Sequence, residues 1–86
     1  MFYIVEKRYT VGAYGVLGVF TNKDTAVKVY TLEVMHYEEE WKGCAVTKNM
    51  TAAQKRKNPD VIAYTKLGGS THQNVIIRIR EMEEKF

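Results

Sequence analysis

Two pairs of β-forming segments bracket one helix-forming stretch, and that order restricts the chain to an antiparallel sheet with a helix laid across it. Phe2 to Tyr9 and Tyr14 to Phe20 are rich in aromatic and β-branched residues and are separated by Thr10-Val11-Gly12-Ala13, the pattern of a hairpin. Gly15 and Gly18 in the second run have no side chain to pack, which marks a bulge, a close approach by another backbone, or relief of crowding under a helix. Toward the other end, Val61 to Leu67 and Gln73 to Met82 flank the turn Gly68-Gly69-Ser70-Thr71-His72 and read as a second hairpin.

Between the hairpins, Thr21-Asn22-Lys23-Asp24 has a hydroxyl followed three residues later by an acid, which predicts a capped helix start at Thr21. From there Ala26, Val29, Tyr30, Val34, Tyr37 and Trp41 recur at helical intervals, so a helix over about 22–40 lays one apolar stripe on the sheet. Val27 to Leu32 has high β-propensity, and strand is the rival reading for that part. Lys42-Gly43 is the predicted exit, Cys44 to Lys48 a short strand, and Thr51 to Lys57 a short helix stopped by Asn58-Pro59-Asp60. The expected class is α+β: an antiparallel sheet of four to five strands, one main helix on one face, and a second short helix. Residues 1–86 read as a single domain, small enough to be marginally stable alone, so a homodimer is expected.

Charge is distributed unevenly along this frame. Residues 42–80 hold Lys42, Lys48, Lys55, Arg56, Lys57, Lys66, Arg78 and Arg80 against Asp60, eight bases minus one acid, or +7, while the whole chain sums to +3. The remainder therefore carries −4, much of it in Glu38, Glu39, Glu40, Glu81, Glu83 and Glu84. A lopsided field of this kind attracts polyanions by counterion release.

Strand alternation sharpens the expectation. If Val75, Ile77 and Ile79 face the core, then Ile76, Arg78, Arg80 and Met82 share the other face, and guanidiniums two residues apart stand about 7 Å apart. That is close to the phosphate spacing of an extended nucleic-acid strand. Arginine donates two parallel hydrogen bonds to phosphate, and Tyr64, on one strand face with Lys66, offers a ring for base stacking. The candidate nucleic-acid-binding residues are Lys48, Lys55, Arg56, Lys57, Tyr64, Lys66, Arg78 and Arg80, expected to converge as one track. No base-reading motif accompanies them, so RNA bound through its backbone, without strict sequence preference, is the expected partner. A solvated outer face, with its arginines paired to Glu81, Glu83 or Glu6, is the competing reading.

Other chemistries find less in the sequence. His72 in its turn is a candidate proton shuttle for metal-independent RNA cleavage, but no second histidine or carboxylate is tied to it by spacing. Cys44, His36 and His72 lack the short spacing of zinc ligands, so no metal and no cofactor is expected. Glu38, Glu39, Glu40 and Trp41 are an alternative docking end for a basic protein. The lone cysteine and the absence of a long apolar run point to a cytoplasmic protein without membrane contact.

The stretch Gly18-Val19-Phe20-Thr21-Asn22-Lys23-Asp24-Thr25-Ala26, a strand running into a capped helix, followed by a basic second half, resembles the small accessory proteins of large tailed phages. In size and charge the chain is similar to the RNA-binding inhibitors that T-even-type phages deploy against host toxin ribonucleases. That resemblance implies a protein of the host cytoplasm that binds RNA and so sequesters or blocks a host toxin nuclease. It carries over no functional residue.

Overall fold

The helix starts one residue later than the capping pattern predicts. Asn22, not Thr21, is the cap: its Oδ1 accepts from the backbone N–H groups of Asp24 at 2.8 Å and Thr25 at 3.3 Å. Asparagine caps as well as threonine does, and Asp24 remains in the first turn, where the helix dipole favours an acid. In this computed structural model, which describes residues 1–10, 12–68 and 73–83, the elements are β1 (Phe2–Tyr9), β2 (Tyr14–Phe20), α1 (Lys23–Glu40), β3 (Val46–Thr47), α2 (Ala52–Lys57), β4 (Val61–Gly68) and β5 (Asn74–Met82). The architecture is α+β, as the segment order implies.

All five strands form one antiparallel sheet in the order β2-β1-β5-β4-β3. The two hairpins are joined by β1 pairing with β5 through the whole of β1, from Phe2 opposite Met82 to Tyr9 opposite Val75. The 18 residues of α1 extend about 27 Å, close to the length of an eight-residue strand. A single helix about 10 Å wide covers one face of the sheet only, so the opposite face is left open.

The covered face is the core. Val75, Ile77 and Ile79 are fully buried there, and Ile76, Arg78, Arg80 and Met82 lie on the open face, the alternation expected from the sequence. Val34 and Tyr37 pack on Leu67, Val75 and Ile77, while Ala26 packs on Val5 and Ile79, and Tyr30 touches both groups. Val29 and Trp41 complete the predicted helical stripe as half-buried neighbours. Tyr30 and Thr65 share a hydroxyl hydrogen bond, as do Tyr9 and Tyr37, and among the described residues no buried side-chain nitrogen or oxygen is left unpaired.

Three details depart from or refine the sequence reading. A bulge places Leu17 between the pairs Val5–Gly18 and Glu6–Val16, and a Cβ on Gly18 would meet the ring of Phe20. The close approach is thus by a side chain of the same strand, not by another backbone. The strand expected over Cys44 to Lys48 shrinks to Val46–Thr47, an exposed edge that pairs with Lys66 and Leu67. The turn bearing His72 lies outside the described residues.

Candidate nucleic-acid interface

The cations of the second half separate into two electrically different groups. Arg78 and Arg80 stand on the open face of β5, and each meets a carboxylate. Glu6, directly opposite Arg78 across the β1–β5 ladder, is 1% exposed and accepts from Arg78 Nε and from the Tyr14 hydroxyl. Arg80 Nε donates to Asp60 Oδ2 at 2.7 Å and lies 4.0 Å from Glu6 Oε1. Two cations against two carboxylates leave no net charge at this spot. Hydrogen bonding from Arg80 holds the Asp60 carboxyl below its usual range, and the same contact pushes the Arg80 guanidinium up. Of the partners weighed for these arginines, Glu6 is the one engaged, joined by Asp60.

The second group lies at the β3–α2–β4 end of the sheet. Among the described residues, none of Lys48, Lys55, Arg56, Lys57 and Lys66 forms an ion pair. Lys48, Lys55, Arg56 and Lys57 are exposed and Lys66 is half-buried. Local structure explains why three of them sit in one exposed helical turn. Thr51 Oγ1 accepts from Gln54 N at 3.2 Å while Gln54 Oε1 accepts from Thr51 N at 2.9 Å, a reciprocal cap that starts α2. Its last turn is Lys55-Arg56-Lys57 with no buried residue, so the bases sit where the helix dipole favours positive charge.

A groove connects this helix to the sheet. It has a volume of about 150 Å³ and is lined by Lys48, Met50, Lys55, Val61, Ile62 and Tyr64, among others. Tyr64 pairs with Arg78 and Lys66 with Ile76, so ring and ammonium share the open face as alternation predicts. Burial pushes the Tyr64 hydroxyl up, opposed by Arg78, so the phenol is neutral at physiological pH. Lys48, Lys55 and Tyr64 therefore border one groove, Lys66 is two residues along the strand from Tyr64, and Arg56 and Lys57 extend the positive surface along α2. Met50 and Ile62, the apolar walls, carried no sequence signal, because only the fold of the β3–α2 segment brings them to Tyr64.

The acidic helix end has local partners. Glu39 lies 3.5 Å from Lys42 Nζ and Glu40 lies 2.9 Å from His36 Nε2. Cys44 is half-buried against the core. No group of three or more metal-ligating side chains gathers among the described residues, and none of their helices is long and apolar enough to cross a membrane. Comparison with known proteins finds no matching family model, curated protein or solved structure. The side chains themselves carry the functional argument.

Proposed function

We propose that the protein binds RNA at the β3–α2–β4 end of its sheet, through phosphate contacts from Lys48, Lys55, Arg56, Lys57 and Lys66 and stacking on Tyr64. The observation that carries this reading is that these five bases form no ion pair among the described residues, and that two of them, Lys48 and Lys55, line a groove with Tyr64 as its aromatic wall. Unpaired ammonium and guanidinium groups can release counterions when phosphates replace water, whereas Arg78 and Arg80 are already neutralised by Glu6 and Asp60. Those two arginines are accordingly assigned to support: they brace the strand beside Tyr64 and make at most secondary contacts to the ligand.

Flexible single strands suit such a site, because bases must be free to lie on a ring while the backbone follows the charges. Binding without strict sequence preference follows from phosphate contacts that carry no base information. In this reading the protein acts by occupancy, not by catalysis. The resemblance to phage inhibitors extends it to covering RNA against, or blocking, a host toxin ribonuclease in the host cytoplasm, as a homodimer.

Fluorescence anisotropy with labelled single-stranded RNA, double-stranded RNA and single-stranded DNA tests the partner class. The expected order places single-stranded RNA tightest, and Tyr64→Ala weakens it by about 5- to 150-fold, corresponding to about 1 to 3 kcal/mol per stacked base. Absence of binding to all three at low salt overturns the proposal.

A further inference from the structure

One edge of the sheet is guarded and the other is not. β3 is two residues long, a length that offers little to an incoming strand. β2, the opposite edge, runs Tyr14-Gly15-Val16-Leu17-Gly18-Val19-Phe20 with no charge and no proline. Tyr14, Val16 and Val19 are 56%, 52% and 59% exposed, all three on the open face. Among the described residues, the backbone of β2 pairs with β1 alone, so the outward amides and carbonyls of alternate residues face solvent. The bulge at Leu17 is its one defence, and it leaves regular pairing over Tyr14–Val16 and Gly18–Phe20 on either side.

We infer that β2 is a docking edge for the β2 strand of a second copy, joining two five-stranded sheets into one antiparallel sheet of ten. This names the surface of the proposed homodimer and does not depend on RNA binding. The occupant follows from charge and symmetry. A strand that meets its own antiparallel two-fold copy sets residue i opposite j and j opposite i, so charge of one sign on it would be brought against itself. β2 carries none. The pairing satisfies the outward backbone groups of both copies at once and brings Val16 and Val19 of each beside those of the other. The surface buried between the two copies would add to a core supplied by one sheet and one main helix.

The geometry has a consequence for the proposed RNA site. In the order β3-β4-β5-β1-β2 followed by its mirror, the two β4 strands are seven inter-strand spacings apart, about 34 Å along the sheet. The dimer thus holds its basic ends at opposite extremes, as a bivalent platform.

Sedimentation velocity from about 1 to 200 μM, paired with NMR amide exchange at both limits, tests the surface without any ligand. The expected result is a concentration-dependent dimer in which the outward amides of β2 exchange at least tenfold more slowly at the upper limit. Val16→Lys with Val19→Lys is expected to raise the dimer dissociation constant at least tenfold while the thermal unfolding midpoint of the dilute protein stays unchanged. A monomer throughout the range overturns both the homodimer and its surface. A dimer whose β2 amides exchange at one rate at all concentrations, or that survives the double lysine substitution, overturns the surface alone. Neither outcome touches the RNA reading, which the anisotropy titrations decide separately.

Discussion

Glu6 and Arg78, seventy-two positions apart in the chain, stand directly opposite each other on the open face of the sheet and form a salt bridge there. The carboxylate is 1% exposed and the arginine side chain 24% exposed, so the pair lies mostly out of water although no helix covers it. Tyr14 donates to the same carboxylate from the neighbouring strand, so three strands are tied at one point.

Removing one member of such a pair strands the other. Arg78→Ala is expected to destabilise the fold by about 2 to 4 kcal/mol, somewhat under the full cost of breaking a fully buried pair because the arginine keeps some water. Urea unfolding measures it. A loss of RNA affinity in this variant would need correction for the unfolded fraction, and a loss of under about 0.5 kcal/mol in stability would show that Glu6 is not held by Arg78.

Asp60 and Arg80 make a smaller, pH-dependent contribution. The Asp60 carboxyl is held below its unfolded value, so its stabilisation is complete above about pH 4 and is lost as pH falls through the lower folded value. The side chains are 29% and 32% exposed, which limits the effect to about 0.5 to 1 kcal/mol after screening. Asp60→Asn should lower stability by that amount at pH 7 and flatten the acid limb of a stability-against-pH curve. An unchanged acid limb would show that another carboxylate governs it.

The start of α1 separates two neighbouring residues. Asn22→Ala should cost about 1 kcal/mol by freeing the amides of Asp24 and Thr25, whereas Thr21→Ala should cost a few tenths at most. Thermal unfolding of the two variants compares them directly. Equal losses would contradict Asn22 as the sole cap, and a larger loss at Thr21 would return the cap to it.

The sequence disclosed local order well because local order depends on neighbours. Alternation assigned Val75, Ile77 and Ile79 to the core, and helical spacing assigned Ala26, Val34 and Tyr37 to the face that meets them. The pairing of β1 with β5 was not legible, since nothing in either hairpin states which edge of the other it joins. That pairing is what sets Glu6 opposite Arg78, so an arginine that looks free along the strand is neutralised by an acid seventy-two positions away. The bases of α2 escaped this fate for a local reason: a six-residue helix with no buried face keeps its last turn in solvent. Lys48, Lys55 and Tyr64 were each nameable as candidates, but their meeting in one groove depends on how the short β3 edge turns into α2.

The salt dependence of RNA binding tests the central claim most directly. Each phosphate contact to a single strand adds about 0.7 to the magnitude of the slope of log affinity against log salt. Replacing Lys48 and Lys55 by Ala should therefore reduce that magnitude by about 1.4 and weaken binding at every salt concentration, with the unfolding midpoint unchanged. A double variant that binds single-stranded RNA with the slope and affinity of the parent protein would contradict the assignment of this groove.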